Sequence, residues 1–160
     1  GGRSKGYNLT LIDVSATTKW YPEWFVGSDV ETPLASNRAY LDVTATFSYA
    51  TWYHLVCTYS GSQLASGIKV YINGTNEAGT GSDVSFPGGE TALHNTAPII
   101  GKTTGNTEFY KGLMDEVGWW HKELTAAEVT RLYNGGTPLP YSSFAGRSSL
   151  MTSKRGAIFI

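Results

Sequence analysis

The chain has 160 residues and a formal net charge of −1, a length that suits one domain and a balance that leaves no electrostatic footprint for nucleic acid. Charged residues are 16% and aromatic residues 13%, with 19 Gly; a chain so poor in charge and rich in Gly, Thr and aromatics reads as all-β. No apolar run reaches the ~18 residues of a membrane-spanning helix, no signal peptide is visible, and the single cysteine, Cys57, rules out an intrachain disulfide.

The first segment, YNLTLIDV (Tyr7 to Val14), alternates apolar and polar residues and predicts a strand. KWYPEWFVG (Lys19 to Gly27) carries an aromatic cluster interrupted by Pro22, which predicts a loop leading into a short strand. AYLDVTATF (Ala39 to Phe47) is again strand-like. TWYHLVCTYSGS (Thr51 to Ser62) is the strongest strand signal; its continuous apolar centre predicts burial on both faces, with Cys57 a buried apolar residue rather than a nucleophile. GIKVYINGTNEAGT (Gly67 to Thr80) predicts a hairpin, because Asn73-Gly74 supplies the positive φ angles of a two-residue primed turn.

Gly79 to Asn95 is polar and Gly-rich, a long loop or an edge. APIIGK predicts a short buried strand, TTGNTEF a turn, and YKGLMDEVGWW (Tyr110 to Trp120) the last strong strand. The period then changes. In LTAAEVTRLYNGG the apolar residues Ala126, Val129, Leu132 and Tyr133 fall at helical spacing. Thr125 is the N-cap, Glu128 completes a capping box, and Gly135 or Gly136 ends the helix. The basic stretch Arg147 to Gly156 reads as a solvated tail. Many short strands with one late helix indicate a β-sandwich.

TWYHLVCTYSGSQLASGIKVYINGT and IIGK…FYKGLMDEVGWWHKELTAAEVTRLYNGG together resemble the laminin-G-like, concanavalin A-like jelly roll of lectins and glucanases, over roughly Gly6 to Tyr141. The resemblance implies a concanavalin A-like jelly-roll sandwich over residues 1–141 with one short C-terminal helix, followed by a tail at 142–160. Such domains open with further strands ahead of the Gly-Tyr-x-Leu strand. Either those strands are missing here or the sandwich is minimal, and an edge left open would need a cover, such as the C-terminal GAIFI, a partner subunit or the rest of a longer chain. GTPLPYSSF looks like the endings of such modules in phage structural proteins.

The segment FYKGLMDEVGWWHKELTAAEV looks at first like catalytic inventory. Strand alternation would put Asp115 and Glu116 on opposite sides of a sheet, whereas glycoside chemistry needs two acids flanking one sugar. Glycosidases of the resembled fold carry a Glu-x-Asp-x-x-Glu pattern. Aligned on Asp115, the outer two acid positions are held by Leu113 and Gly118. No Gly-x-Ser-x-Gly or His-Glu-x-x-His motif is present. His121 reads as structural and partly exposed, and Trp119 and Trp120 as packing. In the resembled family the residue matching Asp115 holds a neighbouring loop. Calcium at the sandwich rim is the alternative role for Asp115, although no Asp-rich calcium loop appears.

The candidate binding residues are Trp20, Tyr21 and Trp24, an aromatic cluster able to stack on sugar rings, beside Glu23 and Asp29, together with Asn73 on its turn. Asn8-Leu9-Thr10 and Asn73-Gly74-Thr75 match glycosylation sequons, a pattern that also arises by chance. The expectation is a non-catalytic module with no obligatory cofactor that recognises a glycan or cell-surface partner. It would be displayed by an extracellular or virion-associated protein, as part of a longer chain or assembly, without nucleic-acid binding or membrane insertion. A purely structural module is the second reading, and a glycosidase or lyase of the same fold the third.

Overall fold

The computed structural model describes residues 6–14, 17–25, 38–48, 50–62, 64–84, 99–102, 109–137, 139 and 157–159. For strands one, two and nine it describes backbone pairing, and of their side chains only Leu9. The strands are β1 (Gly6–Val14), β2 (Thr17–Phe25), β3 (Arg38–Ala45), β4 (Leu55–Tyr59), β5 (Ile68–Ile72), β6 (Thr75–Glu77), β7 (Thr80–Val84), β8 (Trp119–Trp120) and β9 (Ala157–Phe159), with one helix, α1 (Ala126–Tyr133). They form two antiparallel sheets, ordered β1-β2-β3-β7 and β6-β5-β4-β9-β8.

β4 explains why the fold has three layers. All five of its residues are buried, and strand alternation sends them to two different cores. Leu55, Cys57 and Tyr59 join Ile68 and Val70 of β5 and meet Ala39 and Val43 of β3 across the gap between the sheets. Val56 and Tyr71 face the other way, into a second cluster with Leu124 and Val129 that Trp120 and Leu132 flank. The helix therefore covers the outer face of the second sheet. Burial on both faces and the inert setting of Cys57 agree with the sequence reading; burial pushes the Cys57 thiol well above its ordinary range, which keeps it protonated.

The helix begins as its residues dictate. Thr125 is extended, its Oγ1 accepts from the Glu128 backbone N–H at 3.3 Å, and Glu128 Oε2 accepts from the Thr125 N–H at 2.9 Å. Val129 is wholly buried, which is worth about 1.5–3 kcal/mol for an aliphatic side chain, while Ala126 is exposed. The helix ends on Asn134, in the left-handed region at φ 46°, with Gly135 and Gly136 following at positive φ. Asn tolerates that conformation, so the stop comes one residue before the first glycine. We expect Thr125→Ala to cost about 1 kcal/mol, read as a lower urea midpoint at unchanged m-value.

The β5–β6 hairpin also follows its sequence signal. Asn73 and Gly74 lie at φ 51° and 79°, the positive pair of a type I′ turn. The turn is anchored twice to His54, just before β4: Asn73 N–H donates to the His54 carbonyl at 2.8 Å, and His54 N–H donates to Asn73 Oδ1 at 2.9 Å. The Tyr133 ring tilts against His54 with centroids 5.7 Å apart and presses on Gly74 so closely that a Cβ there would sit 2.9 Å from Tyr133 Cδ1. The end of the helix, the hairpin turn and the entry to β4 thus form one junction.

Three sequence expectations are corrected. Residues 19–25 do not form a loop before a short strand, because β2 runs unbroken through Pro22, which pairs with Leu9; residues 26 and 27 lie outside the described ones. The β2–β3 pairing skips Tyr21 and Pro22, the place where a residue without an N–H costs the ladder nothing. APIIGK is not a buried strand. Ile99 and Ile100 are about half exposed, Gly101 turns the chain at φ 77°, and among the described residues the segment pairs through a single bridge between Lys102 and Phe109.

Tyr110 to Trp120 is a strand only at Trp119–Trp120. The slot beside β4 is taken instead by Ala157–Phe159, which pairs with Val56–Thr58 on one side and with Trp119–Trp120 on the other. Ala157–Phe159 belong to GAIFI, which the sequence offered as one cover for an open edge, and they lie in the sheet beside β4. The Gly79–Asn95 segment begins as an edge strand, β7, paired to β3; residues 85–95 lie outside the described ones, as do residues 103–108 of the TTGNTEF turn and most of 142–160.

Candidate functional site

With no strand at 110–118, alternation does not separate Asp115 from Glu116. Their arrangement is local instead. Asp115 Oδ1 accepts the Glu116 N–H at 2.8 Å, and Glu116 sits in the left-handed region at φ 54°. A side-chain bond of this kind competes with a sheet ladder for the backbone. Both carboxylates are exposed.

The apolar residues of this segment are exposed too. Phe109 is 61% accessible, Tyr110 46%, Leu113 77%, Val117 43% and Trp119 46%. Two local contacts shape the stretch. The Tyr110 N–H donates to the Gly101 carbonyl at 2.8 Å, tying the segment to Ile99–Lys102. The Tyr110 ring folds back over Gly112, where a Cβ would stand 2.6–2.7 Å from the phenol. An aromatic ring lying over a glycine has one face on backbone, and its half-exposed remainder is turned to solvent. Trp120 is different, because it packs on the cluster beneath α1. The two adjacent tryptophans therefore divide, Trp120 to packing and Trp119 to the surface. Trp52, ahead of β4, is 63% accessible.

The acids further on serve structure. Glu123 Oε1 pairs with Lys69 Nζ at 3.3 Å, fixing the approach to α1 onto β5. Glu128 closes the capping box and pairs with Lys122. Burial pushes the Glu128 carboxyl up, but the bonds from Lys122 and Thr125 outweigh it and hold it below its ordinary 4.5. His121 is exposed. Among the described residues no group of three or more His, Cys, Asp or Glu is placed to hold a metal ion.

His54 is half buried at the junction with Tyr133, and desolvation lowers its pKa from the ordinary 6.5. The unfolded chain therefore takes up a proton at a higher pH than the folded one. Its contribution to stability is complete above about pH 6.5 and is lost as pH falls from there through the folded value. Glu128, also lowered, adds a second loss as pH falls through 4.5 and below. We expect a urea midpoint that declines in two stages on acidification, and His54→Gln should remove the upper stage while leaving the lower one.

The sequence-predicted binding residues fall in two places. Trp20, Tyr21 and Trp24 lie on β2, the second strand of the first sheet. Trp20 pairs with Val43 and Trp24 with Ala39, both wholly buried. Residues directly opposite share a face, so the two tryptophans hold register positions of the core face and Tyr21 an alternate one. Their side chains lie outside the described part of the structure, as does Asp29. Asn73 is far along the chain on the β5–β6 turn, with its Oδ1 engaged by His54. Tyr110 and Trp119 were missed as candidate surface residues because a strand was read there, and Phe109 because it was read as the end of a turn. Gly112 and Gly118 were the available signal, since glycine inside a strand pattern weakens it.

The family model of the concanavalin A-like lectin/glucanases superfamily matches residues 3–130. No curated protein and no solved structure matches the chain. The match spans most of the 160 residues, and the two antiparallel sheets with one short helix suit it. The chain belongs to the concanavalin A-like lectin/glucanase superfamily.

Proposed function

We propose that this domain is a non-catalytic binding module that recognises a glycan or a glycan-bearing cell-surface partner, displayed by a larger extracellular or virion-associated protein. The observation that carries the reading is the exposed segment Phe109–Trp119. Three aromatic side chains there are each about half exposed or more, and Asp115 and Glu116 stand between them with solvent-facing carboxylates. Sugar recognition combines an aromatic face, which meets the C–H side of a pyranose, with a few fixed hydrogen-bonding groups. Tyr110 suits the first role because its ring is braced on Gly112 and loses little freedom on binding.

The absence of the superfamily's acid pattern around Asp115 supports binding without hydrolysis. So do the occupations of Glu123 and Glu128 in ion pairs and a helix cap. We infer that binding needs no metal. The experiment is a glycan-array screen with and without calcium, joined to an assay for sugar release from every glycan retained. Retention without release is the expected result, and release of reducing ends would overturn the non-catalytic reading. A purely structural module is the second reading, and the open apolar surface of residues 99–119 favours it; silence on the array in both conditions would select it.

A further inference from the structure

The chain contains two Asn-Gly pairs in left-handed turns, Asn73-Gly74 and Asn134-Gly135, and the fold treats them differently. We propose that Asn134 is a site of spontaneous deamidation in the folded protein, and that Asn73 is protected. In the reaction the backbone nitrogen of the following glycine gives up its proton to solvent base and attacks the Asn Cγ. The Cγ–Nδ2 bond breaks and ammonia leaves, closing a five-membered imide. Water then opens the imide at either carbonyl, giving aspartate or isoaspartate. Nothing is oxidised or reduced, and water is the sole co-reactant.

The chemistry needs a glycine-like successor with no Cβ in the path of attack, and a side chain free to rotate over it. Asn134 meets both conditions. It is exposed, it caps the last turn of α1, and among the described residues no atom beyond its chain neighbours lies within 4 Å of the position a Cβ would take on Gly135. Its side-chain bond among the described residues, Nδ2 donating to the Thr137 carbonyl at 3.1 Å, is exposed to water and folds the amide over the residues that follow. Asn73 has the glycine but lacks the free side chain. Its Oδ1 accepts from the His54 N–H at 2.9 Å, its own N–H donates to the His54 carbonyl at 2.8 Å, and the Tyr133 ring presses on Gly74. Cyclisation there would require the hairpin turn to open first.

The product changes the end of the helix. A new carboxylate at Asn134 stands at the negative pole of α1, where anions are unfavourable. An isoaspartate lengthens the main chain within the cap that donates to the Thr130 carbonyl and receives the Thr137 N–H. The neighbouring Tyr133, which packs on His54 and Gly74, loses its support.

The test is ageing of the full chain at mildly alkaline pH, folded and in urea, followed by peptide mapping and enzymatic labelling of isoaspartate. In the folded protein the Asn134 peptide should convert roughly tenfold or more faster than the Asn73 peptide, reflecting local protection of the turn. In urea the two rates should converge. Equal rates in the folded protein, or an Asn134 that reacts only in urea, would overturn the proposal. Asn134→Asp, made directly, should lower the thermal midpoint; an unchanged midpoint would contradict the structural consequence.

Discussion

Tyr71→Ala should be among the most damaging single substitutions in the domain, at about 3–5 kcal/mol by comparison with other large buried aromatics. Tyr71 is 3% exposed. It lies on β5, turned away from the gap between the sheets and toward Val56, Leu124 and Val129. Removing its ring opens a void beneath α1, in the cluster that joins the helix to the sheet. Native domains have only about 5–15 kcal/mol to lose, so the variant should unfold at a much lower urea concentration.

The neighbouring residue provides the control. Lys69 sits on the same face, yet it is exposed, and its pair with Glu123 leaves 47% and 25% of the two side chains accessible. Lys69→Ala should cost under ~1 kcal/mol, as solvated ion pairs do. Similar losses for the two variants would mean that α1 does not cover the sheet.

The second large effect concerns binding. Tyr110→Ala combined with Trp119→Ala should weaken glycan affinity at least about 30-fold, the ~2 kcal/mol that marks a binding hot spot. Stability should hardly change, because both side chains are about half exposed and substitutions at such positions usually stay within about 0.5 kcal/mol. Trp120→Ala should show the reverse pattern. Its ring packs on the cluster under α1, so stability should fall while affinity measured on the surviving folded fraction is retained. Trp20→Ala and Trp24→Ala are expected to follow Trp120, given their register opposite buried Val43 and Ala39.

What could be read from the chain depended on whether local chemistry or distant pairing decided the outcome. The capping box at Thr125 and Glu128, the primed turn at Asn73-Gly74 and the two-sided burial of β4 are local or nearly so, and each stands as expected. The stretch Tyr110–Trp120 has strand composition, but its conformation depends on which segment reaches β4 first. Ala157–Phe159 does, leaving Asp115 to bond its neighbour's N–H and the apolar residues to face solvent. Pro22 misled in the opposite direction, since a break was expected where a gap in the β2–β3 ladder accepts it. The family signature survived these errors because it rests on β4, the hairpin and α1. The binding candidates did not have that support, because an aromatic-rich stretch does not tell from sequence whether its rings are core or surface.

The most direct measurement is a glycan array probed in parallel with the wild-type chain and the Tyr110→Ala/Trp119→Ala variant, each with and without calcium. A metal-independent site on the exposed segment predicts that the wild type retains a set of pyranose-bearing glycans in both conditions and that the folded variant loses them. Binding that survives in the variant, binding that appears only with calcium, or silence of the wild type throughout would contradict it.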